Sequence, residues 1–306
     1  MGESEFRDRE QVVRYLRDRR NWDRWPATSG WGTLNLVTAS NRLRATASVR
    51  DGAVVSLSRP VSTEHSLRNP SPLELIDRLI PAAPDMQGVA DRISLDYHGY
   101  ATTHLDALCH VWAEDGVWRG EDVERNLAAH GDRRWGHIGQ WETGVVTSAV
   151  LLDIPELRDQ PWVDLERPVT DADLEAAGAA QGVEVSPGDA VVIHMGRRGW
   201  ESAHPAWSGY TDARPGLDAS CLRFLRERDV AAVVWDFSDA RPNRYSMHWT
   251  IHLAIPYFGL ALVDNADTEA LAEECRRRGR HEFLLVVAPR RLVGATGSPV
   301  NPLAIL

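Results

Sequence analysis

The chain has 306 residues, of which 43% are apolar and 25% charged, with a net charge of -10. Such a length and composition describe a globular protein with a large core, and the acidic balance excludes the basic footprint of a nucleic-acid binder. Cys109, Cys221 and Cys275 are odd in number and far apart, which argues against a disulfide framework and fits a reducing, cytoplasmic setting. The N-terminal "MGESEFRDREQ" lacks the apolar centre of a secretory signal, and no apolar run approaches the roughly 20 residues needed to cross a bilayer.

In chain order, Phe6, Val12, Val13 and Leu16 recur among charges and predict an amphipathic helix within an N-terminal helical segment, 1–30. "GWGTLNLVT" reads as a turn and a short extended piece, and "DGAVVSLSR" (51–59) as a turn entering a strand. Residues 60–91 carry five prolines around a short helical pattern, "PLELIDRLI"; so long an irregular insertion reads as a cover loop. From 93 to 111 the pattern alternates. Odd positions are mostly small or apolar, while even positions include Asp96, His98, Tyr100, His104, Asp106 and His110. Period two predicts a strand with one polar face, bent near Gly99 because nineteen residues exceed one ordinary strand.

The second half alternates strand and helix. Strands are expected at 144–154, 189–196, in "VAAVVWDF" and in "EFLLVVAP". Helices are expected in "TDADLEAAGAAQG", capped by Thr170, and in "DASCLRFLRERD" and "DTEALAEECRRRG". The expected fold is therefore α/β, a mixed central sheet flanked by helices, in a single domain spanning 1–306.

Familiar motifs are absent: no G-x-S-x-G, no phosphate-binding P-loop, no G-x-G-x-x-G and no H-E-x-x-H. What stands out is "HGYATTHLDALCH", residues 98–110. His104 and Asp106, two apart on a strand, share one face and could hold a cation of the zinc or manganese type, or form a hydrogen-bonded polar pair. His110 can lie over the same place as an acid or base. Cys109 reads as a buried small side chain.

This stretch, with "IHLAIPYFGLALVDNAD" and "ATGSPVNPLAI" downstream, resembles the cyclase family, which holds bacterial arylformamidases, isatin hydrolases and certain lactonases. The likeness runs from about residue 30 to the C-terminus. It implies a swivelling β/β/α fold and a dimer or tetramer. It also implies His104 and Asp106 as metal ligands, His110 as the catalytic histidine, and His252 with Asp264 near the metal, where the family carries a glutamate. The family's first histidine ligand is replaced by Tyr100, a poor ligand at neutral pH because its phenol titrates near 10. His98 is a candidate substitute. A complete Zn2+ or Mn2+ site, a weakened one and a metal-free one all remain open.

The resemblance implies hydrolysis of a C–N or C–O bond in a cyclic or aromatic amide, lactone or formamide, with His110, Tyr100 and Asp106 doing chemistry. A metal-independent biosynthetic cyclase or lactonase is the alternative. An inactive member binding an aromatic ligand is the reading from another class. Among the twelve tryptophans, Trp112 and Trp249, with Tyr245 and Phe258, are expected to line the pocket of a small aromatic or cyclic carbonyl substrate, and Arg244 to meet a substrate carboxylate.

Overall fold

A computed structural model describes residues 6–83, 85–131, 134–210 and 213–306; the first five residues of the N-terminal segment lie outside it. Eleven strands are seen among these residues. They are β1 (Val54–Ser56), β2 (Glu74–Ala83), β3 (Met86–Ser94), β4 (His104–Asp106), β5 (Val145–Asp153), β6 (Ala190–His194), β7 (Ala232–Trp235), β8 (Ala261–Asp264), β9 (Glu282–Val287), β10 (Gly297–Pro299) and β11 (Leu303–Ile305). Nine of them form one mixed sheet in the order β1-β11-β9-β5-β6-β7-β8-β4-β10. The centre, β5 to β8, is parallel, and the flanks are antiparallel. Helices cover the sheet, so the central strands read as unbroken apolar runs such as "AVVI" and "AVVW", buried on both faces.

Local signals hold where they are strong. Asp8 caps a helix over Arg9–Asp18 that buries Val12 and Leu16. Thr170 caps Asp171–Gln181 in a reciprocal box with Asp173, and Gly182 closes it in the left-handed conformation. A further helix, Ala39–Ser48, is boxed by Thr38 and Asn41.

Three expectations are corrected. The "GWGTLNLVT" segment is not extended: Gly32–Leu36 is a 3-10 turn, held by Thr33 N–H donating to the Gly259 carbonyl. Gly32 has φ +51 there, and a Cβ would lie 2.1 Å from that carbonyl oxygen, so only glycine fits. The helical pattern in "PLELIDRLI" is overridden by pairing. Residues 74–83 lie antiparallel to 86–94 as a two-stranded ribbon, and Leu79, Val89 and Ile93 stay exposed. Among the described residues of 60–91, none lines the cavity described below. Lastly, 93–111 is not one bent strand. Only His104–Asp106 joins the sheet, because Asn265 Nδ2 donates to the Gly99 and Thr102 carbonyls and pulls 99–102 into a loop.

Candidate active site

β4 brings the motif to the carboxyl end of β8, where His104 stands directly opposite Asp264. His104 and Asp106, two apart on β4, point to the same side, as the alternation required. His104 Nδ1 lies 2.9 Å from the Thr102 carbonyl oxygen. A carbonyl can only accept, so Nδ1 donates to it, and Nε2 faces Asp106, 3.4 Å from Oδ1. His98 Nδ1 comes within 3.1 Å of the same oxygen, and His110 Nε2 within 3.8 Å. The His98 and His110 rings stack, centroids 3.7 Å apart.

Asp106 is the centre of this arrangement. Its side chain is fully buried, and neither oxygen has an aligned hydrogen-bond partner among the described residues. A carboxylate left this way is costly unless a cation meets it. Burial would raise its pKa, but His110, His98 and His104 outweigh that and hold the carboxyl below its ordinary value. Two overlapping donor groups share it: His98, Asp106 and His110, and His104, Asp106 and Asp264. Tyr100 belongs to neither. Burial raises its phenol pKa further, so at neutral pH it keeps its proton and acts as a donor.

His252 stands behind the cluster. Its Nε2 is 3.1 Å from Asp264 Oδ2 and 4.0 Å from Asp106 Oδ2, and its Nδ1 is bonded to Asp239. Burial alone would depress this imidazole, but Asp239 and Asp264 hold it well above its ordinary value. Asp264 is correspondingly lowered, burial being outweighed by His252, and the indole N–H of Trp235 donates to its other oxygen. Asp264 is thus satisfied by protein groups while Asp106 is not. His110 moves the other way: burial depresses it to about 4 despite the pull of Asp106.

These side chains open into a cavity of about 530 Å³ lined by His98, Tyr100, His104, His110, Trp112, Tyr210, His248, Trp249, His252 and Asp264. A larger cleft, about 780 Å³, is lined by Glu156, His194, Arg198 and Arg276 and contains none of the cluster.

Tyr245, Phe258 and Arg244 are not in the cavity wall. Tyr245 is buried with its hydroxyl donating to Asp218 at 2.9 Å, and Arg244 Nε donates to that hydroxyl. Phe258 packs edge-on to Tyr15 in the core. Trp118 and Trp141 are core residues as well. The sequence reading missed Asp239, Tyr210 and His248. Asp239 sits in "DFSDARP" with no periodic or spacing signal, and only the close approach of the segment after β7 to Thr250–His252 gives it a role.

The Cyclase family model matches residues 51–240. The chain belongs to the cyclase family. Among solved structures, this family member is similar to a novel cyclase, with 23% identity over 95% of this chain and 99% of that one and a TM-score of 0.83. It also resembles isatin hydrolase A from Labrenzia aggregata bound to benzyl benzoate, with 18% identity, 88% and 99% coverage and a TM-score of 0.55. A third is a potential metal-dependent hydrolase with cyclase activity, with 14% identity, 83% and 98% coverage and a TM-score of 0.51. His252 and Asp264 lie beyond the residues matched by the family model, yet in this family member the sheet register sets Asp264 opposite His104, and His252 meets Asp264 at 3.1 Å.

Proposed function

We propose that this cyclase-family protein is a hydrolase of a C–N or C–O bond at the carbonyl of a cyclic or aromatic amide, lactone or formamide. The observation that carries the reading is Asp106: a fully buried carboxylate, without an aligned hydrogen-bond partner among the described residues, beneath three imidazoles that line an aromatic-walled cavity. His104, Asp106 and Asp264 are the buried donor group, and their strands hold them rigidly, so they fit a divalent cation of the zinc or manganese type. When bound, such an ion polarises a carbonyl and acidifies water.

The remaining steps belong to the protein. His110, 27% exposed at its side chain and on the cavity wall, takes a proton from the attacking water and returns it to the departing nitrogen or oxygen as the acyl bond breaks. Tyr100 offers its phenol O–H to the carbonyl oxygen as negative charge develops there. His98, stacked on His110 and with Nε2 3.0 Å from the Thr296 hydroxyl, keeps that ring in place and reaches Asp106 from the cavity side. Trp112 and Trp249 supply flat apolar walls for a ring-bearing substrate.

One observation favours a second, metal-free reading. Asp264 already takes bonds from Trp235 and His252, which suits a fixed acid–base cluster for ring closure or lactone formation. Elemental analysis of protein purified without chelator, joined to a hydrolysis screen of formyl anilides, isatins and lactones, tests the proposal. Stoichiometric zinc or manganese with turnover, both lost in Asp106→Asn, is the expected result. Turnover undiminished by exhaustive chelation favours the metal-free reading, and no turnover on any of these carbonyls overturns the hydrolase assignment.

A further inference from the structure

Arg214 has an unusual position. Its backbone is fixed by two bonds to Arg241, N–H to carbonyl at 2.8 Å and the reverse at 3.0 Å. The side chain is 1% exposed, and Nε donates to the Asp239 carbonyl at 3.0 Å. Both remaining nitrogens, Nη1 and Nη2, are buried without a hydrogen-bond partner among the described residues, and no carboxylate there comes within ion-pair distance. The guanidinium carbon lies 5.0 Å from the ring centre of Tyr100 and 5.2 Å from that of Trp249. Those rings are two walls of the site cavity.

Contact with two aromatic faces offsets part of the charge, and Asp239 nearby offsets more, but neither supplies an acceptor for the fork of N–H groups. Buried charged donors without acceptors are expensive to maintain. A planar oxyanion is the partner whose shape fits two parallel guanidinium N–H groups. Because the fork sits behind the rings, Tyr100 or Trp249 must turn aside for a ligand to reach it.

We infer that Arg214 is an anion anchor, and that the substrate of this site carries a carboxylate in addition to the carbonyl that reacts. The carboxylate sits between Tyr100 and Trp249 against Arg214, while the ring lies along Trp249 and the carbonyl faces His110. This deepens the hydrolase proposal and rests on it for the identity of the reacting bond, but the anchoring itself is measured without turnover.

The experiment is calorimetric titration of zinc-loaded protein with phenylacetate and with its neutral counterpart phenylacetamide, in the wild type and in Arg214→Gln and Arg214→Lys. The wild type is expected to prefer the anion tenfold or more. Arg214→Gln should bring the two ligands within about twofold with phenylacetamide affinity and metal content unchanged, and Arg214→Lys, with charge but no fork, should retain part of the preference. A wild type that shows no preference overturns the anchor without recourse to any variant. A preference that survives Arg214→Gln overturns it too, since the anion would then be held by the zinc that His104, Asp106 and Asp264 carry. If the glutamine variant does not fold, an undiminished preference in Arg214→Lys also overturns the fork. Failure of the carbonyl screen with the Arg214-dependent preference intact removes the hydrolase reading alone; hydrolysis of neutral substrates with no anion preference removes the anchor alone.

Discussion

Asp239→Asn probes the charge that holds the back of the site. Asp239 Oδ1 accepts the N–H of Thr250 at 2.6 Å and of Ile251 at 2.5 Å, together with the Thr250 hydroxyl at 3.0 Å, while Oδ2 meets His252 Nδ1. Burial would raise this carboxyl, but His252 and the backbone donors bring it to about 2, so it is charged. An asparagine keeps an acceptor for Thr250 and Ile251 but turns an N–H2 toward a protonated Nδ1, donor against donor. Removing one partner of a buried ion pair costs about 3–5 kcal/mol; the retained backbone bonds place this change near the lower end, about 3 kcal/mol. With an unfolding entropy of about 2.1 cal/mol/K per residue, a chain of this length loses about 5 °C in Tm. Differential scanning calorimetry and urea titration measure both quantities. In a double-mutant cycle with His252→Ala, the joint loss should fall short of the sum by at least about 1.5 kcal/mol. A Tm drop under about 1 °C, or strictly additive costs, would refute a charged Asp239–His252 pair.

Three other outcomes are expected. His110→Ala should lower kcat on whichever carbonyl compound the screen identifies by about a hundredfold or more, and an unimpaired variant removes His110 from proton transfer. All three thiols are buried; burial pushes Cys109 up to about 11, Cys275 up to about 12 and Cys221 well above the usual thiol range, so none is a thiolate at pH 7. Native protein should therefore give no prompt reaction with Ellman's reagent, and three equivalents after denaturation; rapid labelling before denaturation contradicts this packing. Asp173 closes the Thr170 helix cap and pairs with Arg158. Burial would raise its carboxyl, but Arg158 and Thr170 lower it below the unfolded value, so its contribution exists above that value and vanishes as pH falls through the folded one. Asp173→Asn should cost about 1 kcal/mol at pH 7 by urea titration, and the gap to wild type should close as pH falls below the ordinary carboxylate range. A gap constant with pH would exclude the charge as its source.

How far local pattern reaches is visible in particular elements. Thr170 marked a helix start because a cap is satisfied within one turn; that Asp173 closes the box reciprocally is seen in the structure. The apolar runs of β6 and β7 marked buried strands because both faces of a parallel sheet are covered. His104 and Asp106 were legible as a pair, since a strand places alternate residues on one side whatever surrounds it. The ribbon 74–94 was not: "PLELIDRLI" carries a helical period, and its strand form depends on a partner a turn away. Nor could the alternation over 93–111 reveal that 99–102 would be drawn out of line by Asn265, a residue more than 160 positions later.

The sequence by itself determined the α/β class, the Thr170 cap and the donor chemistry of 98–110, because these depend on neighbours within a few bonds or on residue type alone. Tertiary structure decided which donors meet. His98 rather than Tyr100 approaches Asp106, Asp239 takes charge of His252, Tyr245 and Phe258 leave the pocket, and Arg214 comes to lie behind Tyr100 and Trp249. Each of these is set by the register of β4 against β8 and by the path of the segments after β7, and distance through space is information that a linear pattern does not contain.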